Sequence, residues 1–321
     1  MKKPLILIAG PTASGKTQTS VRLAKTIDGE IISADSMQIY KGMDIGTAKV
    51  KPEEMEGIPH YMIDEWEADF PCSVATFKAK VDAYLEEIYK KGKTPILVGG
   101  TGFYINAILF NTDFEETRPN TAYRNNLFEI AQKEGAQKLH EMLKQVDPLA
   151  ASEIHANNVK RVVRALEYYH ETQSPISSHN QKERQKRVLD ESPYDYTFFA
   201  LSMARQTLYE RINMRIDQMI EEGLVEEVRS FFEGGYSEEL PSMKAIGYKE
   251  FFPYFKGEKS LDACIEKLKQ NTRHYAKRQM TWFNHQAAPI FVPVDELGFN
   301  ASRITNQMLE IIKGNNFKKL E

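Results

Sequence analysis

Short apolar runs alternate with helical patterns in the first hundred residues of the chain. Residues 5–9 form an uninterrupted apolar run that is typical of a buried strand, and a helical pattern follows at about 16–27. Further strands are predicted at 30–34, 60–63 and 95–98, with a helix at about 73–89. Strands that alternate with helices in this way are typical of βαβ units, so the pattern predicts an α/β fold with a parallel sheet.

The pattern changes to helical periodicity, with no predicted strand, from about residue 118 to residue 190. Three helices are predicted there, the third of them around residues 159–169. The sheet pattern resumes at 196–201, and helices at roughly 206–232 and 261–283 precede a last strand at 290–294. We therefore predict one α/β domain, 1–117 with 191–321, interrupted by an all-helical insertion at 118–190.

Composition and charge narrow the class of protein. The chain has 321 residues, of which 41% are hydrophobic, and a formal net charge of −3, which excludes a wholesale polycation but not a local basic surface. No apolar run approaches the roughly 18 residues that a membrane helix needs. The two cysteines, Cys72 and Cys264, lie far apart and predict neither a disulfide framework nor a zinc site. We expect a cytoplasmic protein with no membrane partner.

A phosphate-binding loop follows the first predicted strand and opens the first predicted helix. The loop matches the motif Gly-x-x-x-x-Gly-Lys-Ser/Thr and consists of Gly10, Pro11, Thr12, Ala13, Ser14, Gly15, Lys16 and Thr17. The free amides of such a loop and of the helix N-terminus form an anion site, and Lys16 adds a positive charge. The Thr17 hydroxyl is placed to hold a Mg²⁺ ion that bridges phosphate oxygens. The motif predicts a P-loop NTPase-like sheet and a diphosphate or polyphosphate ligand, but it leaves the reaction open.

The position of the acidic residues limits the classes of reaction that the phosphate loop can serve. A motor or GTPase needs a later strand that ends in a metal-ordering Asp, whereas the strand at 95–98 runs into Gly99, Gly100 and Thr101. The strand-terminal acid is instead Asp35, which at the carboxyl edge of a parallel sheet faces the ligand crevice. It is either a general base or a helix N-cap, and the residues alone leave both interpretations open. Thr101 likewise either contacts the phosphate group or belongs to an ordinary turn.

Two predicted helices carry basic residues on one side. Lys160, Arg161 and Arg164 lie opposite the apolar arc of Val162 and Val163. In the helix at 261–283 the basic side consists of Arg273, His274, Lys277 and Arg278. Such sides are either solvated or bind phosphates. Arg211 and Arg215 lie beside an apolar arc, so they either extend along the core edge towards water or line a cleft.

Together these motifs resemble the tRNA dimethylallyltransferase (tRNA isopentenyltransferase) family. The resemblance covers nearly the whole chain and is most specific in the stretches DSMQIY, residues 35–40, and YAKRQ, residues 275–279. Other shared stretches are MDIGTAK at 43–49, GGTGFY at 99–104 and AIGY at 245–248. Val50 and Ala156 depart from residues that are common in the family, which affects only the expected local loop shape. Without the zinc-finger extension of eukaryotic relatives, we expect the bacterial type.

The resemblance implies transfer of a dimethylallyl group from dimethylallyl diphosphate to N6 of the adenosine immediately 3′ of a tRNA anticodon. It implies that Asp35 and Thr101 are catalytic and that the phosphate loop, Arg211 and a Mg²⁺ ion on Thr17 bind the diphosphate. The expected partners are the tRNA anticodon stem-loop and the diphosphate donor, with no obligate protein partner. The residues expected to bind tRNA are Asp35, Ser36, Met37, Gln38, Thr101, Lys160, Arg161, Val162, Val163, Arg164, Ser242, Met243, Lys244, Ala245, Ile246, Gly247, Thr272, Arg273, His274, Tyr275, Ala276, Lys277, Arg278 and Gln279. The helical insertion is expected to act as a tRNA-gripping lid.

Two other functions agree with parts of the sequence. A kinase for a nucleoside or small metabolite would use Asp35 as the base on a hydroxyl and Arg211 and Arg215 as lid arginines. An RNA-binding protein switched by a nucleotide would use the same loop and basic helices without catalysis.

Overall fold

The computed structural model describes residues 2–114, 121–188, 191–286 and 288–314. Within these residues six strands form one sheet in the order β3-β2-β4-β1-β5-β6, and every neighbouring pair is parallel. This arrangement confirms the predicted α/β class with a parallel sheet. The strands are β1 (Lys3–Ala9), β2 (Gly29–Ser33), β3 (His60–Tyr61), β4 (Thr94–Gly99), β5 (Tyr194–Ser202) and β6 (Ile290–Pro293).

The described residues form two compact units. The sheet unit contains residues 1–109 and 193–321, and the helical unit contains residues 110–192. The predicted boundaries at 117/118 and 190/191 involve residues outside the described part of the chain. The helices are α1 (Lys16–Ile27), α2 (Pro52–Met55), α3 (Val74–Lys90), α4 (Gly102–Leu109), α5 (Thr121–Lys133), α6 (Ala136–Val146), α7 (Pro148–Glu153), α8 (Val159–Thr172), α9 (Ile176–Val188), α10 (Arg205–Glu221), α11 (Leu224–Glu233), α12 (Phe252–Phe255), α13 (Leu261–Gln286) and α14 (Ala301–Gly314).

The core of the sheet unit surrounds β1, the strand that sits between β4 and β5. Residues 5–9 are fully buried because both faces of the sheet are covered. Ile6 and Ile8 pack in one cluster with Leu23 of α1 and Met308 of α14. The phosphate loop at the end of β1 therefore starts from a rigid, central strand. No helix in the described ranges is long and apolar enough to cross a membrane.

The helical unit packs around its own core, which contains Leu139 and Leu143 of α6 and Val162 and Val163 of α8. Five helices lie in its described part, where the apolar periodicity predicted three. The two additional helices are short or strongly polar, and α7 begins at Pro148 with the Asp147 carboxylate accepting a hydrogen bond from the Ala150 amide at 2.9 Å. Proline at the first helical position starts a helix as readily as it ends one.

Two other predicted elements differ from the structure because of backbone conformations with positive φ. The helix predicted at 206–232 is two helices, since Gly223 has φ +102° and is the N-cap of α11. The strand predicted at 60–63 ends at Tyr61, because Met62 has φ +61°.

Candidate active site

The phosphate loop connects β1 to α1 and turns through two residues with positive φ, Ala13 at +62° and Gly15 at +87°. Gly15 is the N-cap of α1 and leaves the first turn without a side-chain cap. The amides of that turn have no partners within the helix, so they are available to an anion. The Ser14 hydroxyl is buried in the loop and has no hydrogen-bond partner in the described chain.

Lys16 lies against the loop that precedes it. Its ammonium donates hydrogen bonds to the carbonyl oxygens of Gly10 at 3.0 Å and Pro11 at 2.7 Å. Burial and the neighbouring Arg215 lower the pKa of Lys16 to about 8, against a weaker opposite effect of Asp35. Lys16 is thus a cation held at some electrostatic cost, which an anion at the loop would offset.

Two arginines from α10 reach the same loop from nearly 200 positions further along the chain. Arg211 donates from Nε to the carbonyl oxygen of Ala13 at 2.9 Å, and its guanidinium lies 4.2 Å from the centre of the Phe299 ring. Arg215 approaches the Thr12 hydroxyl with Nη1 at 3.4 Å, and burial lowers the pKa of its guanidinium. Neither has a carboxylate within 4 Å among the described residues. Both side chains therefore line the phosphate loop, and Arg215 was missing from the predicted diphosphate site.

Asp35 follows β2, and the two oxygens of its carboxylate have different hydrogen-bond environments. Oδ1 accepts from the backbone N–H of Met37 at 2.8 Å and of Gln38 at 3.3 Å. These bonds close a turn, and no helix follows, so Asp35 is not the N-cap of a regular helix. Oδ2 makes no hydrogen bond within the described chain. The negative charge of Asp35 acts on Lys16, Arg215 and Tyr275, so the carboxylate lies within electrostatic range of the cations of the phosphate loop.

The carboxyl ends of β1, β2 and β4 converge at this point. A Cβ on Gly99 would lie 2.3 Å from the Ala34 carbonyl oxygen, and one on Gly100 would lie 3.4 Å from the Gly10 carbonyl oxygen. Only glycine at position 99 allows the backbones that follow β2 and β4 to approach so closely, whereas the Gly100 position is restricted by Gln279 Nε2, which would lie 2.1 Å from a Cβ there. Thr101 comes next, and its buried hydroxyl has no hydrogen bond of regular geometry among the described residues. A buried hydroxyl at a strand end, with the Tyr275 phenol beside it, is available to a ligand.

Helix α13 closes one side of this crevice. Gln279 is buried and donates from Nε2 to the Gly100 carbonyl oxygen at 2.9 Å, while its Oε1 has no partner in the described chain. Tyr275 lies next to Thr101 and Gln279, and burial raises the pKa of its phenol to about 12. Polar atoms of α13 thus join Asp35 and Thr101 around one space.

Comparisons with known proteins show the family to which this chain belongs. A family model described as IPP transferase matches residues 38–286. The chain is 51% identical over 310 residues to a tRNA dimethylallyltransferase of Lachnoclostridium phytofermentans, covering 97% of both chains. A tRNA dimethylallyltransferase of Geobacillus thermodenitrificans is 50% identical over 286 residues, which is 89% of either chain. The chain belongs to the IPP transferase family.

Solved structures show the same likeness in three dimensions. The tRNA delta(2)-isopentenylpyrophosphate transferase of Staphylococcus epidermidis has a TM-score of 0.71 and 44% identity, covering 98% of this chain and all of that one. A eukaryotic dimethylallyltransferase acting on tRNA has a TM-score of 0.79 and 27% identity, with 99% of this chain and 81% of that chain covered. The family assignment therefore rests on sequence and fold together.

The basic side predicted on α8 is exposed, as its periodicity requires. Lys160, Arg161 and Arg164 face solvent, whereas Val162 and Val163 are buried in the core of the helical unit. The two valines thus support the basic residues from inside the unit, and the tRNA-binding role of the segment stays a prediction.

The segment at 242–247 offers little side-chain surface. Ser242, Met243 and Ala245 are buried, and the Ser242 hydroxyl donates to the Ala68 carbonyl oxygen at 2.5 Å. Lys244 is exposed and Ile246 is half-buried. Any RNA contact of this segment in the described conformation would come from these two side chains or from the backbone.

On α13 the predicted basic side is only partly free. His274, Lys277 and Arg278 line a surface groove of about 510 Å³, together with Trp282. Arg273 instead donates from Nη1 to Asn213 Oδ1 of α10 at 2.7 Å. Ala276 is buried, and Thr272 is half-buried with its hydroxyl donating to the Leu268 carbonyl oxygen of the same helix. The periodicity missed the bond to Asn213, because that partner is 60 positions away.

The donor set at the phosphate loop suits Mg²⁺ only with help from a ligand. No group of three His, Cys, Asp or Glu residues in the described ranges could hold a metal alone. Thr17 supplies one hydroxyl at the start of α1, which is half-buried. Mg²⁺ commonly binds through one or two protein oxygens, several waters and substrate phosphates, so the residues present fit such an ion.

Proposed function

We propose that this protein transfers a dimethylallyl group from dimethylallyl diphosphate to tRNA, and that the acceptor is N6 of the adenosine immediately 3′ of the anticodon. The observation that carries the proposal is the Asp35 carboxylate, which has one oxygen free of hydrogen bonds in the described chain and lies within electrostatic range of the cations of the phosphate loop. This arrangement brings a proton acceptor and a diphosphate site to one edge of the sheet. Membership of the IPP transferase family, whose named relatives are tRNA dimethylallyltransferases, supports this reaction over a kinase or a non-catalytic switch.

The leaving-group side of the reaction requires positive charge. As the bond between C1 of the dimethylallyl group and the diphosphate oxygen breaks, charge grows on the departing diphosphate. The loop amides, Lys16, Arg211 and Arg215 would stabilise that charge, because they are already directed to the same loop. A Mg²⁺ ion on Thr17 would supply further charge neutralisation when bound.

The acceptor side requires a base. The lone pair of an adenine N6 amine is delocalised into the ring, so the amine is a poor nucleophile. N6 forms its new bond to C1 while Oδ2 of Asp35 accepts the N6 proton, and the diphosphate leaves with the electrons of the broken bond. Thr101, whose buried hydroxyl lies beside the Tyr275 phenol, would orient the base.

The adenosine must leave the anticodon stack to reach this site. Proteins that modify a base extrude it into a pocket and read its polar edge there. Gln38 binds the other oxygen of Asp35 through its backbone N–H, and Thr101 and Gln279 lie beside Tyr275, on which the charge of Asp35 acts, so polar atoms suitable for such a pocket lie near the carboxylate. The exposed residues of α8 and α13 would bind the RNA backbone, and a cytoplasmic location follows from a tRNA substrate.

The test is nucleoside analysis by mass spectrometry. Unmodified tRNA is incubated with the protein and dimethylallyl diphosphate, digested and compared with a reaction that lacks the donor. We expect a dimethylallylated adenosine only in the complete reaction. A parallel reaction with ATP and small hydroxyl acceptors tests the kinase alternative, and phosphorylation there without dimethylallyl transfer would refute the proposal.

A further inference from the structure

The carboxylate of Glu227, in the first turn of α11, collects four hydrogen bonds from two other parts of the sheet unit. The backbone N–H groups of Asp44 at 3.0 Å and Ile45 at 2.7 Å donate to Oε2. The backbone N–H of Gly46 at 3.0 Å and the Tyr248 hydroxyl at 2.5 Å donate to Oε1. Three successive amides therefore point at one side chain, which makes Glu227 the anchor of the loop at 44–46.

The loop continues to Ala48, and this end of the loop at 44–48 is bound to Gln38, close to Asp35. Gln38 donates from Nε2 to the carbonyl oxygens of Thr47 at 3.2 Å and Ala48 at 3.1 Å. Its own backbone N–H donates to Asp35 Oδ1. A continuous series of hydrogen bonds and backbone thus runs from Glu227 to the carboxylate that we propose as the base.

The packing around the loop leaves it little alternative room. A Cβ on Gly46 would lie 2.6 Å from the Tyr248 ring and 3.0 Å from the Leu224 side chain. The buried ammonium of Lys49 binds the Tyr40 carbonyl oxygen at 2.8 Å and the carboxylates of Asp44 and Asp64 at 2.5 Å each. The loop is therefore tightly held on the Glu227 side as well as near Gln38.

We infer that Glu227 is a positioning residue for the acceptor site, acting on Asp35 through the loop at 44–48 and Gln38. The inference rests on the proposed function, since it assigns Glu227 a part in the transfer to tRNA. Without the carboxylate, three amides lose their shared acceptor and the loop can shift. A displacement of about 1 Å at a reacting group costs on the order of 10²-fold in rate.

Glu227→Gln tests this role, because an amide keeps the size of the side chain but replaces one accepting oxygen with a donor. We expect the single-turnover rate of transfer to tRNA to fall roughly 10- to 100-fold. The Kd for dimethylallyl diphosphate should stay within about twofold, since the phosphate loop is not bound to the loop at 44–46. Glu226→Gln, which changes the exposed neighbour on the same helix, should match the wild type in both measurements.

Rates are measured per folded molecule, and Glu227→Asp, which keeps the charge but is one methylene shorter, should recover part of the loss. A lower yield of folded protein with an unchanged rate would mean that Glu227 is merely structural, and this result would overturn the inference. A wild-type protein that makes no dimethylallylated tRNA would overturn the proposed function instead.

Hydrogen exchange tests the role of Glu227 without any transfer assay, so it distinguishes a failure of this inference from a failure of the proposed function. In folded Glu227→Gln we expect faster exchange at the amides of residues 44–46 and also at Met37 and Gln38, the two that bind Asp35. Faster exchange confined to 44–46, or no change at all, would show that Glu227 does not act on Asp35.

Discussion

Replacing Arg215 with Gln separates the function of this residue from the stability of the fold. The guanidinium is desolvated, has no carboxylate within 4 Å among the described residues, and lies near a second cation, Lys16. A hydrogen bond to a charged group contributes about 1.5–3 kcal/mol. Losing one to the diphosphate should raise the Kd of dimethylallyl diphosphate roughly 10- to 150-fold, at 1.36 kcal/mol per decade.

The same substitution should change the melting temperature of the free protein little, because the desolvation cost of the guanidinium is opposed by its attraction to Glu54 and Asp35. It should also raise the pKa of Lys16, since Arg215 is one of the causes that lower it. Arg211→Gln is the matched comparison. It should weaken donor binding too, but it also loses the Ala13 hydrogen bond and the Phe299 ring, so its melting temperature should fall. Calorimetric binding and thermal unfolding measure both quantities. An Arg215→Gln protein that binds the donor within twofold of wild type would show that Arg215 does not contact the diphosphate.

Three further predictions follow from single features of the structure. The lowered pKa of Lys16, about 8, predicts that donor affinity falls as pH rises through 8, because the neutral amine binds the diphosphate less well. Calorimetry from pH 7 to 9 should show this loss of affinity in the wild type and not in Lys16→Met. The variant is the control for titration of the diphosphate itself, which affects both proteins equally. Gly102→Ala should destabilise the protein by roughly 1–3 kcal/mol in urea unfolding, since its Cβ would lie 2.3 Å from the Trp282 ring, and an unchanged midpoint would contradict the packing described. Lys277→Ala and Arg278→Ala should each flatten the log–log salt dependence of tRNA binding by about one unit, whereas equal slopes would show a merely solvated surface.

Local signals predicted the elements that surround the phosphate loop. The predicted bounds of α1 match the structure, because Gly15 before it and Asp28 after it both adopt left-handed conformations that mark helix ends. The helix predicted at 206–232 was wrong because its apolar periodicity continues through Gly223, and periodicity does not report φ. Sequence patterns thus predict an element better than they predict where it ends.

The composition of the candidate site was harder to predict, since its parts are distant in sequence. Arg211 and Arg215 reach the phosphate loop from 198 and 203 positions away, and their spacing showed only that they share a helix side. Glu227 gave no signal, because a glutamate in a first helical turn is common. The residues alone left two roles open for Asp35, a general base or a helix N-cap. The structure removes the N-cap of a regular helix, because one carboxylate oxygen closes a turn and the other makes no hydrogen bond in the described chain.

The single-turnover rate of Asp35→Asn tests whether Asp35 accepts the N6 proton. An Asn Oδ1 can still accept from the amides of Met37 and Gln38, so the turn and the fold should persist. Without a carboxylate to take the proton, the transfer rate should fall roughly 10²- to 10⁴-fold, or about 2.7–5.4 kcal/mol of barrier, while donor affinity scarcely changes. A folded Asp35→Asn protein that transfers the dimethylallyl group at nearly the wild-type rate would show that Asp35 does not accept the N6 proton.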